Sequence, residues 1–214
     1  MNPSYPTKEA FFNALNARHG KELQACFSGA HVAICGLGGL GSNIALSLAR
    51  AGVGKLTLID FDKVDLSNLH RQQYLATQIG LPKTQALKQV LQSVAPYIEL
   101  TLHTCRVTED NLQELLADAD IICEAFDCAE AKAMLVNGVL EHFPDKYLIA
   151  ASGMAGLASA NTIQTRKISK HFYLCGDGTS DIADGMGLVA PRVMLCAAHQ
   201  AHMALRILAG EYEV

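Results

Sequence analysis

A glycine-rich turn, GLGGLG, lies between the apolar segment His31–Cys35 and a run of small residues. Its glycines are Gly36, Gly38, Gly39 and Gly41. Glycines let backbone N–H groups approach phosphate oxygens, and the N-terminus of a following helix favours the same anion. Asp60 ends the next apolar segment, at about the separation typical of a carboxylate that binds ribose hydroxyls. The pattern predicts a nucleotide site, leaves NAD, FAD and ATP open, and has packing alone as its alternative.

Polar and cationic residues follow Asp60 at positions that suit a triphosphate. Arg71 supplies a forked donor for phosphate oxygens, and Asn68 can hydrogen-bond to them without charge. Lys83 stands at the start of a predicted helix, where a bound anion would offset its unfavourable interaction with the helix dipole. A surface ion pair for Arg71 and a solvated side chain for Lys83 are the alternatives. Hydride transfer needs no such cluster, whereas attack at an α-phosphate needs its charge neutralised, so the cluster favours nucleotidyl transfer.

Asp127 follows the apolar segment IICEAF, which predicts a strand. Ligands of open α/β sheets bind at the carboxyl ends of the strands, so a carboxylate here could hold Mg²⁺ between phosphates. The alternative role for Asp127 is to cap a helix that begins near Ala129. Glu124, inside the same segment, is interpreted as a structural residue.

The seven cysteines form no C-x-x-C pair, which argues against a zinc ribbon and a thioredoxin-like site. Most of them lie in apolar segments and are interpreted as small buried side chains. Cys175 differs, because the Gly- and Asp-rich sequence that follows it predicts a flexible segment near the surface. Cys175 is therefore a candidate for a covalent adduct, with simple packing as the alternative.

The segments that must position these residues alternate between strand and helix. Strands are predicted at 31–35, 56–60, 98–105, 121–126 and 147–151, and helices at 7–18, 42–50, 82–95, 109–117 and 129–142. This alternation predicts an α/β fold, a Rossmann-like and mostly parallel sheet with helices on both faces. A few antiparallel strands near the C-terminus, including 161–168, a loop at 174–188 and a last helix from about Pro191 complete it. We expect one domain over 1–214, with an N-terminal helix.

The composition disfavours two classes of partner, nucleic acids and membranes. The 214 residues carry a net charge of −4, which gives no electrostatic reason to expect nucleic acid or an anionic membrane. No apolar run reaches about 18 residues, the length that a membrane-spanning helix needs. The polar N-terminal residues lack the apolar core of a signal peptide. A cytoplasmic location is therefore predicted.

The motifs GLGGLGS, LTLIDFDKVDLSNLHRQ, GLPK and EAFDCAEAK together resemble the ThiF–MoeB–HesA family, the bacterial relatives of ubiquitin-activating enzymes. The resemblance runs from about residue 8 to the C-terminus. The short length and the segments EAFDCAEAKAMLVN and GMGLVAPRV are most similar to the compact ThiF branch. That branch comprises the sulfur carrier protein adenylyltransferases of thiamine biosynthesis.

The resemblance implies a reaction and a set of roles. ATP would adenylate the C-terminal Gly-Gly carboxylate of a small ubiquitin-like sulfur carrier and release pyrophosphate. The glycine turn would hold the phosphates and Asp60 the ribose; the triphosphate and Mg²⁺ would be contacted by Asn68, Arg71, Lys83 and Asp127. Arg18 resembles an arginine that reaches into the partner's site of a homodimer. The paired cysteines that bind zinc in larger members are missing, so no zinc is predicted.

Three alternatives stay open at this stage. An NAD-dependent Rossmann oxidoreductase would explain the glycines and Asp60 but not Asn68, Arg71, Lys83 and Asp127. A catalytically silent module that only binds a carrier would need no triphosphate contacts. A tRNA-modifying or peptide-modifying relative would keep the adenylation chemistry and change the acceptor.

Overall fold

The computed structural model describes residues 5–185 and 187–214, and seven strands in this part of the chain form one sheet. Their bounds are β1 His31–Cys35, β2 Lys55–Ile59, β3 Glu99–His103, β4 Ile121–Glu124, β5 Tyr147–Ala151, β6 Gln164–Lys167 and β7 Phe172–Gly176. The sheet order is β3-β2-β1-β4-β5-β7-β6, and only β6 and β7 pair antiparallel. The predicted Rossmann-like fold is confirmed, with a single antiparallel pair at its C-terminal edge.

Helices connect these strands. Their bounds are α1 Lys8–His19, α2 Lys21–Gly29, α3 Gly39–Ala51, α4 Lys83–Val94, α5 Leu112–Leu116, α6 Ala129–His142 and α7 Ala190–Leu208. Thr7 caps α1, because its Oγ1 accepts a hydrogen bond from the Ala10 N–H at 3.2 Å. The sequence pattern did not predict α2, which buries only Gln24 and Phe27 and therefore lacks a continuous apolar stripe.

Strand β1 lies inside the sheet, between β2 and β4, and separates two apolar cores. Val32 and Ile34 belong to the core that includes residues of α3, α4 and α7. Ala33 and Cys35 belong to the core that includes residues of α5 and α6. Successive side chains of a strand point to opposite faces, so both faces of the sheet are covered, as parallel sheets require.

The largest differences from the predicted elements lie beside the glycines. Helix α3 begins at Gly39 rather than Ser42, so the last part of the glycine turn is already its first turn. Residues 172–176 form β7, so the loop predicted from residue 174 starts only after Gly176. Among the described residues, no helix is both long and apolar enough to cross a membrane.

Candidate functional site

A cavity of about 870 Å³ opens at the carboxyl ends of β1, β2, β4 and β5. The topology explains the position of the cavity, because the carboxyl ends of parallel strands lie at the same edge of the sheet. The sequence-predicted residues that line it are Gly36, Gly38, Gly39, Asp60, Asn68, Arg71, Lys83 and Asp127. The fold thus brings most of the predicted set together around one space, while Gly41, Arg18 and Cys175 are not among the lining residues.

The first and last glycines of the turn, Gly36 and Gly41, are each required because a side chain there would meet backbone atoms. Gly36 has φ +91°, and a Cβ there would lie 2.7 Å from the Ala125 carbonyl oxygen. A Cβ on Gly41 would lie 1.8 Å from the Gly36 carbonyl oxygen. Gly38 is the N-cap of α3, and no side chain of the described residues caps this helix end. The first N–H groups of α3 are therefore available to an anion in the cavity.

The close contact predicts that alanine at position 41 forces the turn apart. We expect Gly41→Ala to lower the free energy of unfolding by about 3 kcal/mol, since inserting a methyl group against backbone is at the costly end of overpacking. The matched control is Gly29→Ala, because a Cβ at Gly29 meets nothing within 4 Å. Urea titrations followed by circular dichroism compare the two. Equal stability of Gly41→Ala and the wild-type protein would contradict the steric role.

Asp60 joins the glycine turn to the end of β2. One carboxylate oxygen accepts the Leu37 N–H at 2.6 Å, and the other accepts the Asp62 N–H at 2.7 Å. The carboxylate is buried but lines the cavity. Because each carboxylate oxygen has a second lone pair, Asp60 can orient the turn and still accept a hydroxyl. Its binding to ribose stays a prediction.

Lys83 is a buried cation rather than the solvated lysine of the alternative interpretation, which is wrong. It is the first residue of α4, and its side chain is 7% exposed. Its ammonium donates to Asp62 Oδ2 at 2.9 Å and lies 3.8 Å from Asp60 Oδ2. A buried charge needs such partners, so the two carboxylates hold the ammonium at the cavity wall.

Arg71 and its neighbours provide unsatisfied polar atoms. Arg71 Nη2 donates to Asn68 Oδ1 at 3.0 Å, while its Nε is buried without a hydrogen-bond partner among the described residues. No carboxylate of the described ranges pairs with Arg71, so the alternative of a surface ion pair is not formed there. Gln72, which the sequence analysis did not single out, lines the cavity with a buried, unpartnered Oε1. An unmade buried hydrogen bond costs about 1–3 kcal/mol, so both atoms are unfavourable for the folded state of the chain alone.

Asp127 lies beyond the end of β4 with its side chain exposed to the cavity. Helix α6 has Cys128 as its N-cap, and no side chain in the described part of the chain caps it. The alternative capping role of Asp127 is therefore not formed. Among the described residues no group of three or more His, Cys, Asp and Glu could hold a metal ion. Magnesium often binds through one or two carboxylates together with substrate phosphates, so a single Asp127 fits that mode.

Glu124 and Lys132 support the loop that carries Asp127. The Lys132 ammonium donates to both Glu124 carboxylate oxygens at 3.0 Å and to the Ala151 carbonyl at 3.1 Å. The Phe126 N–H donates to the same carboxylate at 2.7 Å. Burial raises the pKa of Glu124, and the Lys132 charge opposes that rise. The interpretation of Glu124 as structural agrees with these contacts, and Lys132 is a partner that no local pattern indicated.

Cys175 does not have the surroundings that its sequence suggested. It lies in β7 and is fully buried, so the expectation of a flexible segment near the surface is wrong. Burial raises the pKa of its thiol to about 11. The reason for the error is that Gly176 ends the strand and Gly178 follows it, so that the whole segment has the composition of a loop. A covalent adduct at Cys175 would need a thiolate that this environment disfavours.

Cysteine labelling tests whether Cys175 is buried in the folded protein. We expect iodoacetamide at pH 8 to modify Cys26 and Cys128, which are exposed, at least about tenfold faster than Cys175, because the thiolate is the reactive form and must be accessible. Peptide mass spectrometry of the native protein gives the rate at each site. Labelling in urea is the control, since it should remove the difference. Equal native rates would contradict the burial of Cys175.

A buried arginine, Arg192, shapes the other half of the cavity. Its guanidinium donates to the carbonyls of Ala155, Ala158 and Ser159, to Thr162 Oγ1 and to Asp177 Oδ2. Asp177 in turn accepts the N–H groups of Thr179 and Ser180. One side chain from the first turn of α7 thus joins the loop after β5 to the loop after β7. Sequence reasoning missed Arg192 because its partners lie 15 or more residues away.

Arg18 lies on α1, a helix that buries none of its residues within this chain. Its action in a partner's site stays a prediction.

Comparisons with known proteins agree with the geometry. A model of the ThiF family matches residues 13–214. The molybdopterin-synthase adenylyltransferase of Escherichia coli (strain K12) is 30% identical over 193 residues, which cover 87% of this chain and 76% of that protein. An adenylyltransferase and sulfurtransferase of Kluyveromyces lactis is 30% identical over 189 residues, 86% of this chain but 42% of the longer relative.

Solved structures share the fold. The E. coli tRNA N6-threonylcarbamoyladenosine dehydratase in complex with ATP superposes with a TM-score of 0.85 and covers 97% of this chain and 98% of that chain, at 22% identity. At that identity the likeness shows the fold alone. The family match and the adenylyltransferase relatives confirm the resemblance and its class of chemistry. The chain therefore belongs to the ThiF family and is an adenylyltransferase.

Proposed function

We propose that the protein uses ATP to adenylate the C-terminal glycine of a small ubiquitin-like sulfur carrier that ends in Gly-Gly. The observation that carries this proposal is the Arg71 guanidinium, which lines the cavity near the uncapped N-terminus of α3 and forms no ion pair with a carboxylate of the described residues. Both groups favour an anion. Lys83, held at the same wall by Asp62, adds a third donor. We infer a single adenylation domain over residues 1–214.

The other half of the cavity suits a narrow acceptor. The loop after β5 and the loop after β7 contribute several small side chains there, together with larger ones and one carboxylate. The small residues are Ser152, Gly153, Ala155 and Ser180, and the others are Met154, Asp181 and Ile182. The Ala155 N–H donates to Ser180 Oγ at 3.0 Å, which joins the two loops. A chain end of two glycines could enter between such walls and place its carboxylate beside the triphosphate. A net charge of −4 supports a protein acceptor over tRNA.

The proposed reaction is a displacement at the α-phosphorus of ATP. A carboxylate oxygen of the acceptor forms the new bond to phosphorus, and the bond to the oxygen that leads to the β-phosphate breaks, so pyrophosphate leaves. Arg71 and Lys83 would neutralise charge that develops on the phosphate oxygens, and Asn68 would help to orient them. Asp127 would hold Mg²⁺, which would neutralise negative charge on the triphosphate during the displacement.

Calorimetry distinguishes this function from that of an NAD-dependent oxidoreductase. We expect the protein to bind ATP in the presence of Mg²⁺ and to show no saturable binding of NAD. Pyrophosphate release that requires a Gly-Gly carrier would then exclude a module that only binds the carrier. Tighter binding of NAD than of ATP would contradict the proposal. Thiamine biosynthesis stays a prediction, and since relatives are named for molybdopterin synthase, carriers of both kinds should be tested.

We also propose a homodimer in which Arg18 reaches the partner's cavity. Mixing Arg18→Ala subunits with Asp127→Ala subunits should restore one working site in each mixed dimer. The activity of the mixture is compared with that of each variant alone. A mixture as inactive as its parents would contradict action across the dimer.

A further inference from the structure

The segment that follows β5 presents hydrogen-bond donors to the acceptor half of the cavity. Ser152, Gly153 and Met154 all line the cavity and are half-buried. In the described part of the chain, the Ser152 hydroxyl and the N–H groups of Gly153 and Met154 have no hydrogen-bond partner. Backbone N–H groups are strong donors that need an acceptor. Three such adjacent donors therefore fit a ligand that presents oxygen atoms.

The carbonyl side of the same segment is held by the loop after β7. The Ser152 carbonyl accepts the Gly178 N–H at 3.0 Å, and the Gly153 carbonyl accepts the Asp177 N–H at 2.9 Å. Gly153 has φ +81°, and a Cβ there would lie 2.1 Å from Asp177 Oδ1. The two loops are packed so closely that the orientation of the donor segment depends on the position of Asp177.

Asp177 is in turn fixed by Arg192. The Arg192 guanidinium donates to Asp177 Oδ2 and, at 3.2 Å, to the carbonyl of Ala155, which directly follows the three donor residues. The side chains of Asp177 and Arg192 are buried, and neither lines the cavity. A buried polar network with its hydrogen bonds made holds one geometry. The pair thus cannot contact a ligand in the cavity, but it fixes the segment that lines it.

We propose that Asp177 and Arg192 are positioning residues for the acceptor, and that they orient the donors of residues 152–154 toward the oxygen atoms of its C-terminal residues. The peptide carbonyl and the carboxylate at a chain end accept hydrogen bonds, so a row of donors suits them. An acceptor bound there keeps its carboxylate beside the triphosphate, as the displacement requires. The inference rests on the proposed function, which supplies the acceptor.

Nuclear magnetic resonance of the isotope-labelled protein tests the donors, with N-acetyl-glycylglycine as the probe. We expect the amide proton signals of Gly153 and Met154 to shift downfield as the peptide is added, because a hydrogen bond deshields the proton. Arg192→Lys keeps the charge but loses the forked guanidinium. We expect this variant and Ser152→Ala each to weaken peptide binding about three- to tenfold, the size of one lost hydrogen bond. Calorimetry should show unchanged ATP binding in both.

Two further variants keep the test interpretable. Asp177→Asn is a second change in the pair, used if Arg192→Lys does not fold. It keeps a side-chain oxygen but removes the charge that pairs with Arg192, and it should weaken peptide binding by a similar factor. Ser93→Ala is the matched control for Ser152→Ala, because Ser93 is exposed on α4 and does not line the cavity. Circular dichroism verifies that the variants fold.

The outcomes separate this inference from the function on which it rests. Absence of a shift at Gly153 and Met154 in the wild-type protein would overturn the inference. Unchanged peptide affinity in the folded variants of Arg192 and Asp177 would overturn their positioning role. An equal loss of ATP and peptide binding would also overturn it, since the pair would then support the whole cavity alike. A wild-type protein that binds the peptide at these amides but does not bind ATP would instead contradict the proposed function.

Discussion

Asp127→Ala is expected to lower ATP–pyrophosphate exchange at least about 100-fold, the scale of losing one electrostatic contact to a transition state. The carboxylate is exposed in the cavity, and it forms no capping hydrogen bond to α6, whose N-cap residue is Cys128. Its removal therefore breaks no capping bond, and we expect the free energy of unfolding to change by less than about 0.5 kcal/mol. The loss of activity would then reflect the site rather than the fold.

Asp145→Ala provides the matched control, because Asp145 is an exposed aspartate that does not line this cavity. Exchange in this variant should equal that of the wild-type protein. If Asp127→Ala also retained normal exchange, Asp127 would have no part in the reaction, and the predicted magnesium ligand would be wrong.

Arg192→Ala is expected to have the largest effect on stability, a loss of about 3–5 kcal/mol, because it leaves a buried carboxylate without its partner. The side chains of Arg192 and Asp177 are each 5% exposed. The substitution also leaves the carbonyls of Ala155, Ala158 and Ser159 without this donor. Urea unfolding measures the change. Arg206→Ala, on the same helix but 34% exposed, should cost less than about 1 kcal/mol, and equal costs for the two would contradict the account.

The same contacts predict a dependence on pH. Burial alone raises the pKa of Asp177, but hydrogen bonds from the Ser180 and Thr179 N–H groups and from Arg192 outweigh it and hold this pKa well below its usual range. A carboxylate with a lowered pKa in the folded state contributes stability above its unfolded pKa, about 3.9, and loses it as the pH falls. The free energy of unfolding should therefore fall below about pH 4. In Asp177→Asn this part of the pH dependence should vanish, and an unchanged pH profile would contradict it.

The nucleotide half of the site could be predicted from the sequence, because each of its residues belongs to a local sequence pattern. The glycines of the turn, Asp60 and Asp127 each stand directly after an apolar segment, and strand ends meet at one edge of a parallel sheet. Their meeting around one cavity follows from that topology. The identities of the residues and the places of the strands were sufficient to expect it.

The acceptor half of the site could not be predicted from the sequence, because its contacts join segments that are distant along the chain. Arg192 looks like an ordinary residue of a helix start until its partners at residues 155–162 and 177 are known. The sequence allowed either an exposed or a functional Lys83. Its burial depends on Asp60 and Asp62, which lie some 20 residues away along the chain. Cys175 was misplaced because glycines that end a strand look locally like glycines within a loop.

Mass spectrometry of the intact carrier can detect the proposed acyl-adenylate itself. The protein is incubated with ATP, Mg²⁺ and each Gly-Gly-ended carrier of its own cell, and the carriers are analysed intact. We expect AMP on the C-terminal glycine of at least one carrier. The adduct should be lost when that glycine is deleted and when Asp127→Ala replaces the wild-type protein. Absence of the adduct from every such carrier, with AMP transferred instead to a tRNA or a peptide, would contradict it.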